Sequence, residues 1–357
     1  MSLDIRDLVP QPCDVLALGE PTHKEPAFGA VRNELFAQLV ELGFRSIALE
    51  TDRVAALAVD DYVRDGSGNP GGFSHNFGAL EPNQRLVAWM REYNRGRPEP
   101  DRLTFHGFDA PTENTSAPSP RSYFEHARDY LGIEDLEIAA GDDDRWSREE
   151  AILDYRQSMG ATPEAERLRA TGEDLRTRLY ARAAELIATT SRAEWRRART
   201  HLDAGLSLLH YHWQASRPLA QNDRIALLMA TRDTMMARNL FDIRGAEAER
   251  GPTMLFAHNL HLQRSGPWAG AIADAVGIGR YFLIASSLGR SEVLGLAEPD
   301  PDTYEGTLQR RVTGWGLIPA AEVAPARTRT DTIPQQGYFP LDQQTIAGAD
   351  AILHIVG

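Results

Sequence analysis

The amino-acid sequence predicts an α/β fold, in which a mainly parallel central sheet carries flanking helices and an inserted all-helical region. Residues 15–109 and 254–356 alternate short apolar runs with helical patterns, whereas the stretch between them is helical throughout. Strand–helix–strand units of this kind favour a parallel sheet with right-handed crossovers. We therefore predict that residues 1–118 and 250–357 form the two parts of the α/β core, and that residues 119–249 form a helical insertion or lid.

The first strand–helix–strand unit places two carboxylates at one edge of the predicted sheet. Two apolar runs of strand length end in Glu20 and Glu50, and residues 27–42 between them have the apolar spacing of an amphipathic helix. We expect both carboxylates at the ends of adjacent strands, with His23 in the loop, where open α/β sheets bind ligands. The alternative is that these carboxylates cap helices or pair with surface arginines.

A third predicted strand also ends in a carboxylate, Asp109. It follows helical patterns at residues 52–64 and 80–93, which are separated by a Gly-rich loop at 65–72. That loop follows a helix rather than a strand and lacks Gly-Lys-Ser/Thr, so it does not match a phosphate-binding loop. We expect it to border a binding cleft, with Phe77 just beyond it.

The middle of the chain has apolar residues at helical spacing in five stretches. They cover residues 122–131, 147–159, 163–189, 192–214 and 222–243. The fourth ends in an aromatic cluster, His210 to Trp213. This cluster either packs between helices or lines the cleft; in the second case Trp213 would be part of the cleft wall.

The final third returns to alternating strands and helices. A strand at residues 254–257 leads into His258 and His261, which converge only if the strand ends between them, because residues three apart on a strand face opposite ways. We predict a helix at 267–276, a strand at 281–287, an irregular stretch at 298–337 and a closing strand at 351–356.

Composition excludes several classes of function. The net charge of −13 disfavours partners that bind through phosphates, such as nucleic acid, and anionic membrane surfaces. Cys13 is the sole cysteine, so the chain can form neither an internal disulfide nor a thiolate zinc cluster.

Without a signal-peptide pattern or a long apolar run, a soluble cytoplasmic protein is expected. Lys24 is the only lysine, and the excess of arginine is typical of G+C-rich coding rather than of a binding role.

A set of short motifs, met in order along the chain, resembles the erythromycin esterase family. They are Gly19-Glu20-x-x-His23, then Arg32, Ala48-Leu49-Glu50, Ala58 to Arg64, Trp89 to Asn94, Gly107-Phe108-Asp109, Arg232-Asp233, and Ala257-His258-Asn259-x-His261. The chain departs from the family around the first histidine, at Pro21-Thr22 and Lys24-Glu25, and between Phe73 and Asn83, where the Trp-Arg-Asn run that is usual in the family is missing.

The residues themselves favour hydrolysis by an activated water. The sequence has neither a Gly-x-Ser-x-Gly elbow nor a His-Glu-x-x-His helix, and a neutral imidazole accepts a proton from water near neutral pH. The resemblance implies opening of the lactone ester of a macrolide antibiotic, without a cofactor or metal. It assigns the roles as follows: His23 is the base, Glu20 and Glu50 are its partners, Arg32 belongs to the same site and His258 assists, while His261, Asp109, Phe77 and Trp213 are candidates for substrate binding.

Two other functional interpretations of the same residues remain possible from the sequence. One is a metal-dependent hydrolase of another ester or lactone, in which the glutamates and histidines are ligands. The other is a non-catalytic relative that binds a macrolide or a biosynthetic intermediate. All three readings predict a small-molecule partner.

Overall fold

Seven strands form one sheet in the computed structural model, which describes residues 3–113, 115–331 and 333–357. Met1, Ser2, Asn114 and Thr332, which belong to segments discussed above, lie outside this description. The strands are β1 (Val15–Glu20), β2 (Ser46–Asp52), β3 (Thr104–Asp109), β4 (Thr253–His258), β5 (Tyr281–Leu288), β6 (Trp315–Pro319) and β7 (Ala351–Ile355).

The sheet is parallel except at one edge, which confirms the predicted fold class. Its strand order is β3-β2-β4-β1-β5-β7-β6, and only β6 runs antiparallel to its neighbour. Strands β1, β3, β4, β5 and β7 are buried along their whole length, as expected when helices cover both faces of a parallel sheet. The carboxyl ends of β1, β2, β3 and β4 therefore meet at one edge.

The helices that the structure describes are mostly amphipathic and cover the sheet or pack on one another. They are α1 (Ile5–Leu8), α2 (Pro26–Glu41), α3 (Ala55–Asp65), α4 (Glu81–Asn94), α5 (Arg121–Leu131), α6 (Asp144–Ser147), α7 (Glu149–Leu153), α8 (Pro163–Ala181), α9 (Ala183–Thr189), α10 (Arg192–Ala215), α11 (Gln221–Glu247), α12 (Asn259–Leu262), α13 (Ala269–Val276), α14 (Tyr304–Gln309) and α15 (Gln343–Gly348). Helices α5 to α11 lie between β3 and β4 in the chain. Part of this region has its own core, around Phe124 and Trp146.

The strand order corrects one prediction about the site. Glu20 and Glu50 do not end adjacent strands, because β4 lies between β1 and β2 and pairs with both. His258, at the end of β4, is therefore placed between the two glutamates. Gly19 allows this close approach, since a side chain there would collide with Oδ1 of Asn259, just after β4.

Two helical predictions for the middle region are wrong. The pattern at residues 147–159 forms helix only in short pieces up to Leu153, because the Asp154 carboxylate accepts the Arg156 backbone N–H and closes a turn. The stretch 163–189 is two helices that meet at Arg182, whose guanidinium donates to the carbonyl of Leu131.

The stretch at residues 298–337, predicted to be irregular, contains α14 and β6. Strand β6 has the sequence Trp-Gly-Leu-Ile-Pro, in which glycine and proline obscure the strand pattern. Proline is tolerated there because β6 is the edge strand. Strand β7 is consequently an interior strand and does not close the sheet. No helix in the described part of the chain combines the length and the apolar character needed to cross a bilayer.

Candidate active site

Glu50 lies at the centre of a cluster of charged groups at the carboxyl edge of the sheet. Its Oε2 accepts the backbone N–H of His258 at 2.8 Å, and its Oε1 accepts Nη2–H of Arg232 at 3.0 Å. The same Oε1 lies 3.3 Å from Nε2 of His261 and 3.6 Å from Nε2 of His23. Burial acts to raise the pKa of this carboxyl, but the charges of His261 and His23 outweigh it and hold the pKa well below its usual range.

His23 projects from the loop after β1 with one ring nitrogen held and the other turned toward Glu50. Its Nδ1 lies 2.7 Å from Oε1 of Glu20, which is buried, whereas the His23 side chain is 27% exposed. Burial acts to lower the pKa of His23, but the charge of Glu50 and the hydrogen bond to Glu20 raise it to about 10. Burial also raises the pKa of Glu20, against the opposing effect of His23.

His258 is held as a neutral ring by backbone groups. Its Nδ1 accepts the N–H of Leu260 at 3.2 Å, and its Nε2–H points at the carbonyls of Pro21 (3.1 Å) and Gly337 (3.0 Å). Burial, reinforced by the charge of His23, lowers the pKa of His258 to about 4. This ring therefore joins three segments of the site, and neither nitrogen is free to assist proton transfer in the way the sequence predicted.

His261 converges on the same cluster because β4 ends at His258 and α12 begins at the next residue. Its Nδ1 lies 2.8 Å from Oδ1 of Asp233, on α11, and its Nε2 faces Glu50. Burial acts to lower the pKa of His261, but the charge of Glu50 and the hydrogen bond to Asp233 raise it to about 9. Both ring nitrogens of His261 therefore face a carboxylate.

Arg232, on α11, is a member of the cluster that was not among the predicted site residues. Its Nε and Nη2 donate to the two carboxylate oxygens of Asp109 at 2.8 and 2.5 Å, and Nη2 also donates to Glu50. This fork is the bidentate geometry that guanidinium and carboxylate favour. Arg232 occurs in one of the family-like motifs, but it lies in a helix rich in arginine, where nothing in the sequence marks it as buried.

Asp109, predicted to bind substrate, is fully buried and instead holds Arg232 in place. Its Oδ2 also lies 3.2 Å from Nε2 of His75, whose Nδ1 is 2.7 Å from Glu113. Burial acts to raise the pKa of Asp109, but the charge of Arg232 lowers it. His75 and Asn76 have positive φ angles of 55° and 58°, a conformation that is unfavourable for side chains with a Cβ and is concentrated at functional loops.

Arg32, which the resemblance assigns to the same site, makes its hydrogen bonds with groups other than the carboxylates. Its guanidinium donates to the side-chain carbonyls of Asn33 and Asn83 and to the backbone carbonyl of Pro82, and it lies 4.8 Å above the ring of Phe256. Burial lowers its pKa to about 10. Arg32 lines a small inner cavity of about 40 Å³ beside Glu20, His23 and Glu50, which is room enough for ordered water.

The two aromatic candidates have different positions. Phe77 lies against His23, with ring centroids 5.0 Å apart, and also 5.5 Å from His75. Trp213 is 43% exposed on α10 and packs beside His210, outside the cleft, so the prediction that it forms a cleft wall is wrong.

An open cleft of about 600 Å³ leads to the cluster. Its lining residues are His23, Lys24, Glu50, His75, Asn76, Phe77, Leu80, Glu113, Arg232, His258, Leu260, His261, Gly337 and Phe339. Most of them come from loops at the sheet edge, strands β2 and β4 and helix α12 supply others, and the helical insertion supplies only Arg232. The segment 337–339, which was not predicted to take part, supplies one wall.

Across residues 3–113, 115–331 and 333–357, no group of three or more His, Cys, Asp or Glu side chains has the arrangement of a metal site. The carboxylates of Glu50 and Asp109 are bridged by a guanidinium, and both nitrogens of His258 are bonded to backbone groups. The oxygen and nitrogen atoms that would bind a metal are therefore already bonded to other groups of the protein.

Comparisons with known structures agree with this fold. A Bacillus cereus protein superimposes with a TM-score of 0.71 at 19% identity, over 99% of this chain and 92% of the other. A succinoglycan biosynthesis protein superimposes with a TM-score of 0.70 at 18% identity, over 96% of this chain and 87% of the other. A histidine-to-asparagine variant of the erythromycin esterase EreC, in its open conformation, superimposes with a TM-score of 0.66 at 17% identity, over 97% of this chain and 91% of the other. At these identities the likeness shows the fold alone.

The sequence comparisons are more specific. No curated protein sequence matches the chain. The family model for erythromycin esterase matches residues 39–350, which covers most of the chain, from the last turn of α2 to the residue before β7, and includes Glu50, Arg232, His258 and His261. This family supports a hydrolase function on macrolide-like substrates, and the chain belongs to the erythromycin esterase family.

Proposed function

We propose that the chain opens the lactone ester of a macrolide or related substrate, with His23 as the general base that activates water. The observation that carries the proposal is the placement of His23: its Nδ1 is hydrogen-bonded to the buried Glu20, and its Nε2 faces the cleft. This is the base-and-orienter geometry that general-base catalysis requires.

The proposed reaction needs only groups already present in the cluster. Neutral Nε2 of His23 takes a proton from a water molecule, whose oxygen attacks the ester carbonyl carbon. Glu20 keeps the remaining proton on Nδ1 and stabilises the imidazolium that forms. The tetrahedral oxyanion then collapses, the bond to the ring oxygen breaks, and the departing alkoxide receives the proton from the imidazolium. The products are a carboxylic acid and an alcohol on one opened chain.

Positive charge for the oxyanion is available beside His23. Nη1 of Arg232 lies 3.4 Å from Nε2 of His261, and both groups line the cleft. Their positions are fixed by Asp109 and Asp233, so little reorganisation accompanies the reaction. We assign these two residues to stabilisation of the negative charge that develops on the carbonyl oxygen.

The size and walls of the cleft suit a bulky and partly apolar substrate. Its volume of about 600 Å³ falls within the range of roughly 300–1,000 Å³ that is usual for small-molecule sites. Phe77, Leu80, Leu260 and Phe339 provide apolar surface, and Leu80 and Phe339 are 37% and 39% exposed. A macrocyclic lactone would contact these side chains while its ester lies at His23.

The test of the function is incubation of purified protein with a panel of macrolides and simpler lactones. Hydrolysis adds the mass of one water to the substrate, which mass spectrometry detects directly. A lactone that binds but keeps its mass would favour the non-catalytic relative. A lactone that gains water would exclude that reading.

The rate should rise with pH on the alkaline side of neutrality. Only neutral His23 accepts a proton, and its pKa is raised to about 10, so the base is protonated at neutral pH and becomes available as pH rises. We expect the turnover rate to increase roughly tenfold per pH unit until His261, whose pKa is raised to about 9, loses the proton that stabilises the oxyanion. Glu20→Gln removes one of the charges that raise the pKa and should move this limb to lower pH. A rate that falls steadily from mildly acidic to mildly alkaline pH would contradict a histidine base.

Hydrolysis should survive prolonged dialysis against a chelator. The guanidinium of Arg232 occupies the space between Glu50 and Asp109, and a divalent cation there would be repelled by it. We expect elemental analysis of the active protein to find no stoichiometric metal. Activity that disappears on chelation and returns with one specific divalent ion would instead make Glu50 and the histidines ligands.

A further inference from the structure

The cleft contains one positive charge that has no partner in the described part of the chain. Lys24, next to His23, is exposed and lines the cleft, and its ammonium makes neither a hydrogen bond nor an ion pair there. The guanidinium that lines the same cleft, Arg232, is already bonded to Asp109 and Glu50. Lys24 therefore presents an uncompensated positive charge beside the proposed base.

The carboxylates around Lys24 are directed at other groups. Oε1 of Glu25 accepts the N–H of Ala27 at 3.3 Å, and Oε2 accepts the hydroxyl of Ser291 at 2.6 Å. Glu113 pairs with His75 on another wall of the cleft. An anion that enters the cleft can therefore pair with the Lys24 ammonium without displacing a carboxylate of the protein.

The backbone at Lys24 is fixed although its side chain is free. Its N–H donates to Oγ1 of the fully buried Thr22 at 3.1 Å, and that hydroxyl donates to the carbonyl of Gln336 at 2.8 Å. The N–H of Phe339 donates to the carbonyl of Pro21 at 3.2 Å, so the segment bearing this exposed ring is attached to the same loop. The unpaired charge of Lys24 and the apolar ring of Phe339 thus line the same cleft, on two segments that are hydrogen-bonded to each other.

The composition of the chain sharpens this observation. Lys24 is the only lysine among the 38 lysine and arginine residues of the chain, so all the others are arginines. Lysine carries a compact charge with three rotatable donors, whereas arginine presents a planar fork. The single lysine of the chain is therefore the residue next to His23, in the cleft.

We propose that Lys24 forms an anion subsite, and that the substrate carries a carboxylate on its apolar body near the ester that is hydrolysed. The inference rests on the proposed hydrolysis and narrows it to anionic esters or lactones. The carboxylate pairs with the Lys24 ammonium while the apolar body contacts Phe339. This contact forms on binding and remains in the transition state, so it lowers KM and leaves kcat nearly unchanged.

The first test compares two esters of the same leaving group, the mono-para-nitrophenyl ester of glutaric acid and the para-nitrophenyl ester of pentanoic acid. Wild-type protein should prefer the anionic ester. Lys24→Gln should reduce the ratio of kcat/KM for the anionic ester to kcat/KM for the neutral ester by about three- to tenfold, through the KM of the anionic ester. Lys24→Arg should restore most of the preference. The matched control, Arg192→Gln, removes an exposed arginine that has no ion pair in the described structure and should have no effect.

Because Lys24 is the only lysine, chemical modification gives the same comparison without a mutation. Reductive methylation keeps the charge of Lys24 and should keep the preference, whereas acetylation removes the charge and should abolish it. The α-amino group also keeps its charge on methylation and loses it on acetylation, so the same two treatments of Lys24→Gln are the control and should leave the ester preference of that variant unchanged.

Binding without turnover separates this inference from the proposed hydrolysis. The amide analogues of the two esters should bind to wild-type protein in calorimetry, the anionic one more tightly, and the difference should disappear in Lys24→Gln. If neither ester is hydrolysed but this difference is found, the hydrolysis proposal fails and the anion subsite stands. If both esters are hydrolysed alike by wild type and Lys24→Gln, the subsite is refuted and hydrolysis stands.

Discussion

Replacement of His23 by alanine or asparagine should abolish hydrolysis while the protein stays folded. His23 combines an orienting carboxylate on Nδ1 with an Nε2 that faces the cleft, and its side chain is 27% exposed, against 10% for His261, which is held in a similar way. A positioned general base contributes about 10²–10⁴-fold to the rate, so turnover should fall by that factor. The measurement is kcat for a lactone that the wild type opens, with circular dichroism of each variant as the test of folding.

His210→Asn is the matched control for this experiment. His210 is exposed on α10 and lies outside the cleft, so its replacement changes the same type of side chain without affecting the proposed base. Activity of the His23 variants within about threefold of wild type would remove His23 as the base, because a general base has a much larger effect.

Arg232→Met should cause the largest loss of stability of any single change at the site. The change leaves Asp109 and Glu50 buried without their cation, and breaking one side of such a pair typically costs about 3–5 kcal/mol. Denaturant unfolding at neutral pH should show this difference in the free energy of unfolding. Arg192→Met is the control, since Arg192 is exposed and its loss should change the free energy by less than about 0.5 kcal/mol.

The stability defect of Arg232→Met should shrink as pH falls. The pKa of Asp109 is lowered in the folded protein, so its pairing with Arg232 stabilises the fold above the unfolded-state pKa of about 3.9 and this contribution is lost as pH falls through the folded value. In the variant, the unpaired carboxyls take up protons at higher pH. A defect of constant size from neutral to mildly acidic pH would contradict the assignment of Arg232 as the partner of these carboxylates.

The sequence predicted the parts of the site that local patterns determine. A short apolar run that ends in a charged residue marks the end of a buried strand, so Glu20, Glu50 and His258 were found together with the loop residue His23. Parallel pairing brings such strand ends to one edge, which made their convergence predictable. The ordered motifs of the family supported the same choice and extended it to His261.

The remaining features depend on contacts between residues far apart in the chain. Nothing local indicates that β4 inserts between β1 and β2, so the two glutamates were wrongly expected on adjacent strands. Arg232 lies 123 residues after Asp109 in the chain, on a helix with other arginines, and no local pattern distinguishes it from them. Arg32, which the resemblance assigned to the site, lines the inner cavity beside Glu20, but the guanidinium that is hydrogen-bonded to Glu50 is that of Arg232.

Hydrolysis of a lactone in isotope-labelled water is the measurement that tests the central claim most directly. If water activated by His23 attacks the carbonyl carbon, the opened product carries one heavy oxygen, located in its carboxylate, and the His23→Ala variant forms none of it. Label in the alcohol instead, or label incorporated equally by wild type and His23→Ala, would contradict the proposed mechanism.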